Sequence, residues 1–165
     1  MINMRWLEHL TTTRLTLHRC FPRRTRKAIK AAIASSERTH HAEIRFAVET
    51  ALSLRQLARR LTSRKRALEV FAELGVWDTA QNNGVLIYVL LAEHGIEIVA
   101  DRGFTPDIPG ETWRAICDEL GHEFEAGRYE QGVLTAIDKI SEISAARFPI
   151  RGSNPNELPD EPTMI

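Results

Sequence analysis

No stretch of this 165-residue chain is apolar over the roughly 18 residues that a membrane span requires. Its first residues also lack the apolar run of a secretory signal. It has only two cysteines, Cys20 and Cys117, far apart and without metal-type spacing. That excludes a disulfide scaffold and a zinc knuckle, and it points to two free thiols in a cytoplasmic protein. Aromatic residues make up 7% of the chain and no nucleic-acid reader motif accompanies them, so nucleic acid is not an expected partner. Catalytic signatures are missing as well. There is no Gly-x-Ser-x-Gly elbow, no phosphate-binding glycine loop, no Cys-x5-Arg loop and no EF-hand spacing. No internal repeat is visible.

What is present centres on one stretch, Asn82 to Gly103. Val85 to Leu91 is a continuous apolar run of strand length, as expected of a strand buried on both faces. Glu93-His94-Gly95 makes a short connection, with Gly95 suited to a positive φ. A second strand follows, with Ile96, Ile98 and Ala100 on one face and Glu97, Val99 and Asp101 on the other. Antiparallel pairing of the two strands sets Asn82-Asn83-Gly84 beside Asp101-Arg102-Gly103. Upstream, Glu43 to Glu49 alternates Ile44, Phe46 and Val48 with Glu43, Arg45, Ala47 and Glu49, which predicts a strand with one polar face. Cross-strand ion pairing of Glu43, Arg45 and Glu49 with Glu97 and Asp101 would follow if these strands were neighbours.

Helices are predicted around this sheet. Pro22 opens one over about 22–38; Leu54, Leu57, Ala58 and Leu61 share a face. Ser63 caps another through Leu74, with Gly75 as its stop. Pro106 and Pro109-Gly110 mark a loop. Beyond it, Trp113, Ile116, Cys117, Leu120 and Phe124 define a helix over 111–126. A last helix, 129–148, is closed by Phe148-Pro149. Trp6, Leu7 and Leu10 suggest one amphipathic turn, weakened by Thr11-Thr12-Thr13. The order of elements implies an α/β domain with a mixed sheet and helices packed on it. Residues 22–150 form the domain and 1–21 an N-terminal extension. The Pro- and Asn-rich residues 151–165 form an extended or disordered tail that adds little to stability.

The zero net charge conceals a division: residues 1–66 carry 16 Lys and Arg against 4 Asp and Glu, and residues 67–165 carry 6 against 18. Arg23, Arg24, Arg26 and Lys27 sit at a helix start, where the dipole disfavours them. A basic arm over Arg14 to Lys30 is thus a candidate contact for an anionic surface or for the acidic half of the chain.

Glu37 to Val48, Gly75-Val76-Trp77-Asp78 through Leu86, Ile98 to Gly103, Trp113, and the pattern Phe124, Gly127, Tyr129, Gly132, Phe148-Pro149 together resemble the TPM domain family, in its short stand-alone bacterial form. The resemblance covers about 25–149. It implies an α/β/α layered sandwich. Family members are linked to divalent cations, chiefly calcium, to acid phosphatase activity, and to assisting membrane-associated complexes. The family's Asp-Asn-Gly stands here as Asn82-Asn83-Gly84, one charge fewer at a ligand position.

The candidate metal ligands are Asp78, Asn82, Asn83, Asp101 and Glu43, with Glu37 and Asp107 as outlying members. Calcium takes six to eight oxygens, which loop ends from separate segments can supply; magnesium is the alternative ion. The adjacent His40 and His41 diverge and make poor joint ligands. The expected function is a binding or accessory module with a weak cation site and an unidentified protein partner. The competing readings are a metal-dependent phosphatase using the same carboxylates and an anionic-surface binder acting through the basic arm.

Overall fold

The computed structural model describes residues 4–105 and 107–165, so Pro106 of the expected loop and residues 1–3 lie outside it. Three helices come first, α1 (Met4–Thr11), α2 (Arg14–Cys20) and α3 (Arg23–Ser36), followed by β1 (Glu43–Glu49). The chain continues through α4 (Leu54–Ala58), α5 (Ser63–Glu73), β2 (Gly84–Leu90) and β3 (Gly95–Ala100). It closes with α6 (Gly110–Glu125), α7 (Tyr129–Arg147) and β4 (Thr163–Met164). The sheet order is β3-β2-β1-β4. β1 runs parallel to β2 and to β4, while β2 and β3 form the antiparallel hairpin, with Val85 opposite Ala100 and Leu90 opposite Gly95.

Alternation along the strands builds two cores. Ile44, Phe46, Val48, Val85, Ile87 and Ile98 point to one face, beneath Ile29 and Ile33 of α3, Ile116 and Leu120 of α6, and Val133 and Ile137 of α7. Phe21 anchors this side, its ring 5.5 Å from Phe46 and 5.7 Å from Tyr129. On the other face Ala47, Leu86, Tyr88, Leu90 and Val99 meet Leu57, Ala67, Val70 and Val76. Helices therefore cover both faces of a mixed sheet, and the fold is an α/β/α sandwich.

Two glycines allow the hairpin to seat. A Cβ on Gly84 would lie 1.9 Å from the Val76 carbonyl oxygen, and one on Gly103 2.4 Å from that of Asn82. The 76–82 turn thus packs directly on the hairpin end. Gly75, with φ +64°, ends α5 as expected, and the Val76 N–H reaches back to the Phe71 carbonyl.

Several expectations differ in detail. The helix cap before α5 is Thr62, whose side chain accepts from the Lys65 N–H; Ser63 is the first helical residue. In the hairpin connection the left-handed residue is His94, at φ +51°. Gly95 is needed instead for space, since its Cβ would meet the Ser63 hydroxyl at 2.5 Å. The N-terminal extension is helical and packed: Leu17 and His9 are buried, and the Arg5 and His9 side chains both reach the Glu93 carboxylate, at 2.6 and 2.7 Å. Leu7, Leu10 and Leu15 remain exposed.

The main differences lie on β1 and the tail. All seven β1 residues are buried, so its polar face is not solvated. β2 separates β1 from β3, which rules out direct pairing of Glu43 or Glu49 with Glu97 or Asp101. The tail supplies the missing partners instead. The Glu43 carboxylate accepts from the Glu157 and Leu158 N–H groups at 3.2 and 3.0 Å. Arg45 donates to the carbonyls of Pro159 and Glu161 and to the Thr163 hydroxyl. Leu158 is buried in the second core, and the Ile165 N–H bonds the Val48 carbonyl at 2.9 Å. Residues 151–165 are extended but docked, because β1 offers charges that water cannot reach. Deleting 157–165 should therefore lower stability by at least ~3 kcal/mol, the scale for leaving a buried charge without its partner. Urea unfolding monitored by tryptophan fluorescence checks this; an unchanged midpoint would show that the tail is dispensable.

Candidate functional site

The hairpin end gathers the predicted residues unequally. The Asp101 N–H bonds the Gly84 carbonyl at 2.9 Å and the Gly103 N–H bonds the Asn82 carbonyl at 2.8 Å, which ties the two turns together as antiparallel pairing requires. Asp101 Oδ1 accepts from the Arg102 N–H at 2.7 Å and caps the turn after β3, while its Oδ2 is buried without a hydrogen-bond partner. Asn82 Oδ1 accepts from Arg102 Nε and Nη2, at 3.0 and 2.8 Å, so a guanidinium already serves that oxygen. Asn83 is fully buried. Its Nδ2 donates to the His41 carbonyl at 2.6 Å, and its Oδ1 is a second buried acceptor without a partner. Strand alternation sends the Asn83 and Asp101 side chains to opposite faces, with Asp101 on the side where the 76–82 turn packs. Asp78 sits exposed on that turn. Glu43 lies across from Gly84 in register, but its carboxylate is turned to the tail. Asp107 pairs with Arg147 at 3.0 Å. Among the described residues no group of three or more His, Cys, Asp or Glu is arranged to hold a metal ion.

A second acidic site, beneath the tail, was not foreseen as separate. Glu37, Glu43 and Asp160, with Asn154 and Asn156, line a cavity of about 290 Å³. Glu37 Oε1 accepts from the Ile44 N–H at 2.8 Å. Burial raises the Glu37 pKa from 4.5 to about 9, against the pull of that hydrogen bond, and the Glu43 and Asp160 carboxylates add to the rise. Burial likewise raises the Glu43 pKa, opposed by its two tail N–H donors. The start of β1, at Glu43 and Ile44, supplies part of the Glu37 environment, and the tail, at Asn154 and Asp160, more than a hundred positions away, closes it.

The two histidines diverge as expected. His41 Nε2 accepts from the Arg151 N–H at 3.1 Å, which leaves Nδ1–H to donate to Asn154 Oδ1 at 2.6 Å. Asn154 Nδ2 in turn donates to the carbonyls of Glu37 and His40. His40 is fully buried, with Nδ1 on the Ala42 carbonyl, and burial lowers its pKa. Both rings thus serve the junction between the tail and the start of β1.

A third cluster centres on the buried Glu49, Arg66 and Tyr88 and reaches the surface at Glu73. Glu49 Oε2 receives Arg66 Nε at 2.8 Å and the Tyr88 hydroxyl at 2.7 Å, and Arg66 Nη1 also reaches Glu73 at 2.8 Å. Burial works against the Arg66 charge, yet Glu73 and Glu49 hold its pKa above the ordinary arginine value. Burial and the Glu49 carboxylate both push the Tyr88 phenol upward. Their mutual saturation reads as structural ion pairing. Cys117 is no activated nucleophile: burial pushes its thiol up to about 11, where the thiolate is scarce at neutral pH.

Comparison with known proteins agrees with the geometry. The family model described as the TPM domain matches residues 18–143. The fold is similar to the NMR structure of the BA42 protein from the psychrophilic bacterium Bizionia argentinensis, with a TM-score of 0.75 and 27% sequence identity. The similarity covers 86% of this chain and 93% of that one. Among curated proteins, none matches the chain.

The Glu37 environment has a pH consequence. Its pKa is raised on folding, so the folded state keeps a proton that the unfolded chain releases above about pH 4.5. The contribution is present in full below that value and is lost as pH rises toward 9. Glu37→Gln keeps the oxygen that accepts from Ile44 and removes the charge. It should stabilise the protein by more than ~1 kcal/mol near pH 8 and flatten its stability between pH ~5 and ~8. Urea midpoints across that range decide it; parallel profiles for the two proteins would refute the assignment.

Proposed function

Because this chain belongs to the TPM domain family, we propose that it is a binding and accessory module that holds a divalent cation weakly at the end of the β2–β3 hairpin. The observation that carries this reading is Asp101 Oδ2, a carboxylate oxygen shut off from water and without a partner. Such an oxygen is costly to bury and gains most from a cation. Asp101 supplies the charge, and Asp78, exposed on the turn that packs on the same face, supplies a second carboxylate. Arg102 already serves Asn82, and the tail already serves Glu43. The residues therefore fit an ion that draws Asp101 Oδ2 outward into an open, mostly water-filled shell rather than one held in a closed cage. Calcium, which tolerates irregular oxygen shells, suits this better than magnesium, and its affinity falls at about 10⁻⁴–10⁻³ M. The bound ion would neutralise the turn and stiffen the hairpin end that a protein partner meets.

A second reading has its own observation. Exposed Leu7, Leu10 and Leu15 share the N-terminal helices with exposed Arg14, Arg19, Arg23, Arg24 and Lys27. Apolar side chains among cations suit an anionic membrane surface or a membrane-associated complex. Cys20 and Cys117 are both free, as a cytoplasmic setting would have them.

Millimolar calcium should raise the melting temperature by a few degrees, through preferential binding to the folded state. Asp101→Asn, which keeps the capping oxygen, should remove most of that rise while leaving the calcium-free protein folded. Calcium-induced amide shifts confined to the tail would place the ion elsewhere. A phosphate-monoester assay with and without calcium or magnesium separates the module from a metal-dependent phosphatase; the module gives no metal-dependent turnover.

A further inference from the structure

β3 is the outermost strand on its side of the sheet, and its free edge borders a cavity of about 490 Å³. Arg64 of α5 and Glu97 stand on one side of this cavity; Trp113, Arg114, Cys117 and Asp118 of α6 stand on the other. α5 belongs to the second core and α6 to the first, so the groove runs along the strand edge between the two helix layers. β4, at the opposite side of the sheet, has only two residues, which leaves β3 as the edge long enough to take another strand.

The hairpin register fixes what this edge offers. The Asp101 N–H bonds the Gly84 carbonyl, so Gly95, Glu97 and Val99 turn their N–H and C=O groups toward β2. Ile96, Ile98 and Ala100 turn theirs outward. Arg64 Nη1 donates to the Ile98 carbonyl at 2.7 Å, where the N–H of a neighbouring strand would stand. The same atom lies 3.6 Å from the Glu97 carboxylate, and about half of the Arg64 side chain is exposed. Turning fully to Glu97 would free the carbonyl at little cost.

The charges identify the occupant. Arg114 and Asp118 are exposed and lie one helical turn apart on the groove wall. Their side chains form no ion pair or hydrogen bond among the described residues. An arginine four residues before an aspartate is the weaker order for pairing within one helix. Two antiparallel copies of α6 resolve this, since Arg114 of each then faces Asp118 of the other. Across the whole groove two cations, Arg64 and Arg114, balance two carboxylates, Glu97 and Asp118. A strongly acidic or basic partner gains nothing from such a surface. A two-fold axis, which sets a surface against itself, needs this balance.

We infer that β3 pairs with β3 of a second copy, antiparallel about Ile98, so that the two sheets become continuous and α6 packs beside its mate. Ile98 bonds Ile98 of the second copy, and Ile96 bonds Ala100 on either side of the axis. The partly buried Ile96, Trp113 and Cys117 supply apolar contact at the centre, with reciprocal Arg114–Asp118 pairs above it. The interface uses no residue of the hairpin-end cation site, so the two proposals stand or fall separately.

Sedimentation equilibrium of the whole protein under reducing conditions, over ~0.01–1 mM, should show a reversible monomer–dimer equilibrium. Arg114→Asp and Asp118→Arg should each weaken it at least ~10-fold, because each sets like charges against one another across the axis. An equimolar mixture of the two variants should regain the wild-type affinity, since every reversed residue then meets its opposite. Ile96→Pro, which removes an outward N–H and no bond to β2, should give monomer. Should the proline variant misfold, the two exposed charge reversals and their mixture still decide. A wild type that stays monomeric throughout, a dimer that neither reversal weakens, or a mixture no tighter than either variant alone would each overturn the proposal.

Discussion

The constraint on which most of this structure depends is that its central parallel strand buries three ionisable side chains on one face. Glu43, Arg45 and Glu49 alternate along β1, and all lie out of reach of bulk water. A buried charge without a partner costs several kcal/mol, so each must be met by a group placed to match it. Glu49 is met by Arg66 of α5 and by Tyr88 of β2, which ties the helix layer to the sheet. Glu43 and Arg45 are met by backbone N–H and C=O groups of the tail, which brings residues 157–165 across the strand and leads to β4.

The same constraint explains which features the sequence made legible. The hairpin and β1 could be read directly, because period-two alternation and the Asn83-Gly84 and Gly95 signals are local. The last two helices were equally plain, since Trp113, Ile116, Leu120 and Phe124 repeat at helical spacing and Gly127 stops them. The tail was misleading because composition records what a segment lacks, while its docking depends on Glu43 and Arg45, more than a hundred residues earlier. Polar alternation on β1 signals paired charges but not their partners, which come from the tail, α5 and Tyr88 rather than from β3. At the hairpin connection His94 takes the left-handed conformation, and Gly95 is required by the close approach of Ser63.

The candidate site was legible in part for the same reason. Antiparallel geometry alone placed Asn82, Asn83 and Asp101 at one end of the sheet. It could not show that Arg102 turns back onto Asn82, or that Glu43 faces away. The outcome is a site with one carboxylate oxygen in need of a partner rather than four or five converging ligands. Glu37 shows the converse: a residue set in an unremarkable polar run acquires the most perturbed carboxyl environment at the start of the sheet, because the tail closes over it.

Hydrogen exchange of individual amides tests the central claim most directly. If β1's buried charges hold the tail, the Leu158 and Ile165 amides, which bond Glu43 and Val48, should exchange only through global unfolding. Their protection would then equal that of the β1–β2 amides and would fall with theirs as urea is added. Exchange of those two amides at the rate of an unstructured peptide, with β1 and β2 still protected, would contradict the account.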